Sequence, residues 1–190
     1  MIIDCDDGFK DSVSILTKNK VDRVGRYFCR DDDPTAYKLI SPKEAKQIAD
    51  ANIRLCTIFE AGHLDLTQGQ ANAQTAMDCA QKIGQPQKSA IYFGLEKSGG
   101  FNTTDLQSIR DYFKAINSTI GNKFAIGIYS NGIPCQAMRA EGLCQYTWLT
   151  AASYSHFGTQ EFFSTGLWSL AQVAPVDIKT DAWQKNGKSI

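Results

Sequence analysis

Several apolar runs in this sequence end in or contain a carboxylate residue. Asp4 ends the first run, Glu60 the third and Glu96 the fourth, and Asp177 lies in the last one. A carboxylate in a buried strand is costly unless it is paired or solvated by a cleft. Four acids at equivalent strand ends therefore predict a shared cleft. The alternative is structural, with Arg26 forming an ion pair with Asp4 or Glu60.

Two carboxylates across a cleft are the groups that cleave a glycosidic bond. One protonates the leaving oxygen, and the other acts as nucleophile or activates water. Glu96 is the expected general acid, because it ends the most apolar run, above Gly94 and beside Tyr92. Apolar surroundings would raise the pKa of this carboxyl group. Asp4, Glu60 and Asp177 are the candidates for the second carboxylate.

Aromatic and polar residues near the same strand ends could bind the substrate. Tyr92, Tyr129 and Trp148 could stack on sugar rings, and Arg26 and Gln172 could donate hydrogen bonds to hydroxyl groups. The alternative for each aromatic residue is an ordinary place in the hydrophobic core.

Strand-like and helix-like stretches alternate along the chain, which is typical of a parallel sheet with helices outside it. The expected strands are 2–5, 23–29, 53–60, 89–96, 123–129, 146–149, 168–173 and 176–178. The expected helices are 11–20, 41–52, 70–83, 102–120 and 134–141, and 153–166 has no clear period and reads as a loop. Ser41, Pro42 and Glu44 form a helix-start signal.

This alternation predicts an α/β fold in one domain over residues 1–190. A closed barrel and an open doubly wound sheet both fit the pattern. A dinucleotide-binding sheet needs a G-x-G-x-x-G motif after its first strand, and that motif is absent. Because the chain is shorter than the roughly 250 residues of a full (β/α)8 barrel, a shortened or irregular TIM-type barrel is expected.

Composition limits the possible partners. The 20 basic and 20 acidic residues cancel, so we expect no nucleic-acid partner. No apolar run reaches the roughly 18 residues that span a bilayer, and the first residues do not resemble a secretion signal. A monomer without a cofactor is expected. No metal site is expected either, since Asp31–Asp33 reads as a solvated turn and His63 as a loop residue.

Six cysteines are present, and none forms a C-x-x-C motif of the kind that binds zinc. Most are expected to be small buried side chains. Cys135 and Cys144 could instead form a disulfide across a short segment, which would indicate an oxidising compartment.

An ordered set of motifs covers nearly the whole chain and resembles the glycoside-hydrolase-like domain family DUF1906, which is related in fold to family 25 glycoside hydrolases. The matching stretches are Ile3–Cys5, Gly25–Tyr27, Leu39–Ala45, Ile58–Glu60, Gly69–Ala80, Gly84–Pro86, Ile91–Phe93, Tyr112–Phe113, Gly127–Tyr129, Trp148, Gln172 and Val176–Asp177. The resemblance implies a shortened TIM-type barrel in bacterial or phage proteins tied to the cell envelope. Two departures are that a Gly-Phe before Asp4 is missing and that glycine occupies position 94, where family 25 enzymes carry the aspartate of an Asp-x-Glu pair.

These features together predict a secreted or envelope-delivered glycoside hydrolase, of lysozyme-like type, that acts on a bacterial envelope polysaccharide, peptidoglycan being one candidate. A non-catalytic carbohydrate-binding or targeting module on the same fold is the main alternative. A phosphodiester-cleaving barrel is a third possibility, although its usual histidine pair at strand ends is not evident.

Overall fold

The computed structural model describes residues 2–4, 13–28, 39–150 and 156–172. Seven strands lie in these ranges: β1 Ile2–Asp4, β2 Arg23–Phe28, β3 Arg54–Phe59, β4 Ala90–Gly94, β5 Ala125–Ser130, β6 Tyr146–Leu149 and β7 Leu170–Ala171. An eighth strand was expected at 176–178, which is outside the described residues. The helices are α1 Val13–Lys18, α2 Pro42–Asp50, α3 Gly69–Lys82, α4 Leu106–Ile120, α5 Gly132–Ala140 and α6 Thr159–Thr165, with a 3-10 turn at Thr103–Asp105 before α4.

The strands form one sheet in strict chain order, β1 to β7, and every neighbouring pair is parallel. Right-handed crossovers in one direction place every helix on the same face of the sheet. A doubly wound sheet would instead reverse its strand order at a switch point, and the described sheet has no such point. The structure thus confirms the predicted barrel-type α/β fold and excludes the doubly wound alternative.

Two apolar clusters cover the two faces of this sheet. The larger one lies between the strands and the helices and includes Phe59, Phe93 and Phe113. The smaller one lies on the inner face and consists of Tyr27, Ile58, Tyr92, Tyr129, Trp148 and Leu170. Within it the rings of Tyr92 on β4 and Trp148 on β6 meet edge to face at 5.5 Å, although β5 lies between their strands. Such contact across an intervening strand requires a curled sheet.

Local sequence explains where α2 begins. Ser41 has extended backbone angles, and its Oγ accepts a hydrogen bond from the backbone N–H of Glu44 at 3.1 Å. Pro42 follows at the first helical position, where its missing N–H leaves no bond unmade. The predicted helix start is confirmed.

The segment 153–166, expected to be a loop, contains helix α6. Glycines in the left-handed conformation flank it, Gly158 at φ 74° and Gly166 at φ 67°. Phe162 is buried, and Phe163 stacks on Trp168 at 5.3 Å. Seven residues are too few to show a clear helical period in the sequence, and a helix this short is stabilised mainly by its tertiary contacts.

The possible Cys135–Cys144 disulfide is not formed, because both residues are free thiols in the structure. Both are buried, and burial raises the pKa of the Cys144 thiol to about 12 and that of Cys135 well above its usual range. Cys56 and Cys79 are half-buried. The other two cysteines are outside the described residues.

Candidate functional site

Two cavities open where the strands β3 to β6 end. The larger, of about 910 Å³, lies between the loop that follows β3, the loop that follows β4 and the first turns of α4. The smaller, of about 210 Å³, lies between the ends of β4, β5 and β6 and residue His156. Ligands bind at the carboxyl ends of the strands in parallel β/α folds. We call this region the C-terminal mouth.

Glu96 lines both cavities of the C-terminal mouth, and Lys97 lines them with it. The structure corrects one expectation about Glu96. Strand β4 ends at Gly94, Leu95 turns into the core beneath the helices, and Glu96 is exposed. The apolar surroundings expected around its carboxyl group are therefore absent. A Cβ at Gly94 would meet Phe59 O only at 3.4 Å, so glycine is not needed there to make space.

Three further carboxylates line the larger cavity, and two of them are held by their own loops; the three are Asp65, Asp105 and Asp111. Thr67 donates to Asp65 from its Oγ1 at 2.7 Å and from its backbone N–H at 2.8 Å. Lys97 donates to both oxygens of Asp105 at 2.8 Å, and the Asn102 N–H donates to Asp105 Oδ2 at 2.8 Å. These bonds lower the pKa of Asp65 and the pKa of Asp105. Both groups stay ionised at neutral pH, so neither can donate a proton there.

Lys97 contacts two other residues that line the larger cavity. Besides binding Asp105, its Nζ lies 4.8 Å from the centre of the Phe101 ring, a distance typical of a cation–π contact. Phe101 itself is buried. These two contacts hold the ammonium group of Lys97, a residue that lines both cavities.

Sequence reasoning missed Asn131, which follows β5 and ties three segments together. Its side-chain amide donates to Phe101 O at 2.9 Å and to Phe157 O at 3.0 Å, while its oxygen accepts from the Phe101 N–H at 2.9 Å. His156 was passed over as well; its ring lies so close to Gly100 that a Cβ there would approach it to 2.8 Å. The signal that could have found Asn131 is its position directly after a buried strand.

Four of the residues predicted to bind substrate lie together on the inner face. Tyr129 and Trp148 meet edge to face at 5.5 Å, as do Tyr92 and Trp148, and Gln172 donates to the Tyr129 hydroxyl at 3.2 Å. All four side chains are buried. None of the four lines either cavity of the C-terminal mouth, and their ring faces are packed rather than open.

Arg26 requires a correction. It alternates with Tyr27, so it points to the helix face of β2, where it is fully buried. Its Nε donates to Glu44 Oε1 of α2 at 2.7 Å. The structure thus places Arg26 in a buried ion pair under a helix and away from the cleft. The sequence showed Glu44 only as a helix-start residue, and its role as the partner was missed.

The remaining predicted carboxylates differ in how far the structure describes them. Glu60 is half-buried, and its N–H continues the sheet ladder by donating to Phe28 O at 3.3 Å. Since Ile58 belongs to the inner cluster, alternation sends Glu60 to the inner face also. The backbone of Asp4 pairs with Gly25, and only the backbone of Asp4 is described. Asp177, like Asp31–Asp33, lies outside the described residues.

In the described ranges, no cluster of three His, Cys, Asp or Glu side chains could hold a metal ion. His63 lies exposed at the rim of the larger cavity, in the loop after β3. Within the same ranges, no helix combines the length and the apolar character needed to cross a membrane.

Comparison with known proteins shows relatives in sequence and in structure. A Bacillus subtilis (strain 168) protein, the uncharacterized protein YbfG, is 25% identical over 174 residues. This match covers 83% of the present chain and 24% of YbfG, so the chain spans about a quarter of that relative.

Two solved structures share the fold. The Mycobacterium tuberculosis Tat-secreted protein Rv2525c, crystallised with HEPES, superposes with a TM-score of 0.67 at 18% identity over 78% of this chain and 77% of its own. The modular autolysin LytC of Streptococcus pneumoniae, in complex with a synthetic peptidoglycan ligand, gives a TM-score of 0.54 at 12% identity over 79% of this chain and 37% of its own.

The family assignment rests on a match along almost the whole sequence. The model of the Rv2525c-like, glycoside hydrolase-like domain family matches residues 14–189. This agrees with the resemblance seen in the ordered motifs and with the barrel-type sheet. The chain belongs to the Rv2525c-like, glycoside hydrolase-like domain family.

Proposed function

We propose that the protein hydrolyses glycosidic bonds in a bacterial envelope polysaccharide, with peptidoglycan as the specific candidate, and that it acts outside the cytoplasm. Support comes from the glycoside hydrolase-like family and from two structural neighbours, a Tat-secreted protein and an autolysin studied with a peptidoglycan ligand. The fold alone does not define the chemistry, which must come from the side chains of the C-terminal mouth.

The observation that carries the proposal is the position of Glu96 on the wall of both cavities. A sugar chain lying across the mouth would pass this carboxyl group. Asp65 and Asp105 share the larger cavity, but their lowered pKa values keep them ionised. Glu96 is therefore the candidate to give its proton to the leaving oxygen as the bond to the anomeric carbon breaks.

Glu60 is the second carboxylate that best fits the sheet. Continuing the register of Phe59 and Phe93 by one residue brings Glu60 beside Gly94 on the inner face. Glu96 follows Gly94 by two residues. The proposed mechanism requires the two carboxyl groups to lie roughly 5–9.5 Å apart, as they do in glycosidases. Asp4 and Asp177 are the alternatives for this role.

In the proposed reaction the second carboxylate either attacks the anomeric carbon or removes a proton from the water that attacks it. Lys97, on the wall of both cavities, donates hydrogen bonds to oxygens of the sugar. The products are two shorter chains, and the atoms of one water molecule are divided between them.

A non-catalytic carbohydrate-binding module is the second candidate, and the bonding of the acids favours it. The carboxylate oxygens of Asp65 and Asp105 accept hydrogen bonds from their own loops. The inner aromatic residues are also packed against one another. A site with these features can hold an oxygen-rich chain without cleaving it.

The test is digestion of purified peptidoglycan sacculi and soluble glycans, with the products separated and identified by mass spectrometry. Wild-type protein is compared with Glu96→Gln and Glu60→Gln, and Asp78→Asn on the exposed side of α3 serves as the matched control. General acid catalysis contributes about 10²–10⁴-fold to turnover, so Glu96→Gln should reduce product formation by that factor. Asp78→Asn should digest at the wild-type rate.

Sedimentation of each variant with insoluble peptidoglycan measures binding in parallel. The proposal expects Glu96→Gln to bind as the wild type does, because the change keeps the shape of the side chain. Unchanged turnover in Glu96→Gln would remove Glu96 from the mechanism. Binding without products from the wild type would establish the binding module instead.

A further inference from the structure

A third cavity, of about 850 Å³, lies at the opposite end of the barrel. Several of the residues that open the strands line it, namely Arg23, Arg54, Ala90, Tyr146 and Leu170. We call this region the N-terminal mouth. Strands of five or six residues are about 17–20 Å long, so this cavity is well separated from Glu96.

The described lining of the N-terminal mouth is rich in cations and contains no carboxylate. Arg23, Lys46, Arg54 and Lys88 contribute to it, and neither aspartate nor glutamate does so. Two of these cations have carboxylate partners outside the lining, Lys46 with Asp50 at 2.7 Å and Arg54 with Asp22 at 3.5 Å. Arg23 differs from both, because none of the described carboxylates forms an ion pair with it.

The position of Arg23 is unfavourable in the empty protein. Its Nε is buried and has no hydrogen-bond partner within the described part of the chain. It also pairs in register with Arg54 on the next strand, so two like charges stand side by side on one face. A buried donor without a hydrogen-bond partner is destabilising, and so are like charges directly opposite each other on neighbouring strands. An anion placed between the two guanidinium groups would remove both penalties.

The remainder of the lining suits an apolar body attached to that anion. Ile53, Ile83 and Leu170 supply aliphatic surface, and Tyr92 contributes part of its ring. A volume of about 850 Å³ falls within the roughly 300–1,000 Å³ of small-molecule sites. We propose that the N-terminal mouth binds an amphiphilic anion, with its carboxylate or phosphate group on Arg23 and its apolar body along β3 and β7.

The test uses two probes that differ in one group. 8-Anilinonaphthalene-1-sulfonate carries an anionic sulfonate, and N-phenyl-1-naphthylamine has the same rings without it. Fluorescence titration should show saturable binding of the sulfonate with one site per chain. Arg23→Met should weaken that binding by about tenfold to a hundredfold, the contribution of a charge-assisted hydrogen bond. Binding of the uncharged probe should change little.

The control variant is Lys114→Met, which removes one exposed positive charge from α4, outside this cavity. It should bind the sulfonate as the wild type does. Displacement by octanoate or by octyl phosphate then distinguishes a carboxylate ligand from a phosphate ligand. Failure of the wild type to bind the sulfonate, or equal binding by Arg23→Met, would overturn the proposal.

Two further measurements separate binding from folding. In amide spectra, addition of the sulfonate should shift Ala90 and Ser169 at the strand starts. Shifts confined to residues 62–67 would place the probe at the other mouth and overturn the proposal. Without ligand, Arg23→Met should unfold at the wild-type temperature or above it, because a buried donor without a partner and a charge opposite Arg54 are removed. A lower unfolding temperature would show that Arg23 has a structural role, and would also contradict the proposal.

Discussion

The ring of Tyr92 lies directly over the backbone of Gly127, its register partner on β5. A Cβ added at Gly127 would overlap the ring carbons of Tyr92. The ring then reaches the edge of Trp148 at 5.5 Å. The absence of one side chain on β5 thus allows the aromatic cluster to form on the inner face of the sheet.

Gly127→Ala should therefore destabilise the protein by about 1–3 kcal/mol, the usual cost of overpacking a core. Gly94→Ala is the matched control, because a Cβ there would make only ordinary contacts, the nearest at 3.4 Å. Urea unfolding of both variants measures the difference. Equal stability of the two alanine variants would contradict the packing argument.

The buried pair of Arg26 and Glu44 should be costly to break. Glu44→Gln leaves a charged guanidinium with a neutral partner, so the free energy of unfolding should fall by about 3 kcal/mol. Replacing both residues, Arg26→Met with Glu44→Leu, should recover most of this loss. Denaturant titration checks both results.

A surface pair provides the comparison. Lys46 and Asp50 form an exposed i,i+4 pair at 2.7 Å on the same helix. Asp50→Asn should change the free energy of unfolding by less than about 0.5 kcal/mol. A similar loss in Asp50→Asn and Glu44→Gln would mean that burial does not set the strength of the Arg26 pair.

The cysteines should react at very different rates in the native protein. Because the thiolate is the reactive form, raised pKa values and burial protect Cys135 and Cys144. Cys56 and Cys79 are half-buried and should be alkylated first. Iodoacetamide labelling at pH 8, followed by peptide mass spectrometry, measures the order. Early labelling of Cys144 would contradict its burial.

Lys97 should control the pKa of Asp105. Its hydrogen bond is the largest cause of the lowered pKa, so Lys97→Met should raise the pKa of Asp105 toward the ordinary value of 3.8. A depressed carboxyl pKa stabilises the fold above the unfolded pKa, and this contribution is lost as pH falls through the folded pKa. The wild type should exceed Lys97→Met in stability by less than about 1 kcal/mol at pH 7.

Measurement of carboxyl chemical shifts against pH gives the pKa of Asp105 directly. Thermal unfolding of both proteins from pH 7 down to the acid limit gives the stability difference. The difference should shrink below the ordinary pKa of 3.8. A difference that grows as pH falls would have the wrong sign for this pair.

A carboxylate at position 131 should destabilise the protein at neutral pH. Asn131→Asp would remove two donors and face a negative charge toward the carbonyl oxygens of Phe101 and Phe157. Burial and these oxygens would raise the pKa of the introduced carboxyl, so the variant should regain stability as pH falls through that raised value. Unfolding temperatures at pH 7 and pH 5 test this, with Asn131→Ala as the control that lacks the titration.

Local pattern was sufficient for much of the fold. The alternation of apolar runs with helical periods determined the order of strands and helices, because each period is set by backbone geometry over a few residues. The start of α2 was equally readable, since Ser41, Pro42 and Glu44 act within one turn. Helix α6 was not, because its stability depends on distant packing of Phe162 and Phe163.

The same local rules could not decide which side chains of a strand face the helices and which face the inside of the curled sheet. Alternation in the sequence separated Arg26 from Tyr27 on β2, but it did not say which of them faces the helices. Only the curl of the sheet, with all helices on one side, placed Arg26 against Glu44 and Tyr27 among the inner aromatic residues. The sequence by itself determined which residues share a face and which follow a strand. The tertiary structure decided what each face meets, because those contacts join segments far apart in the chain.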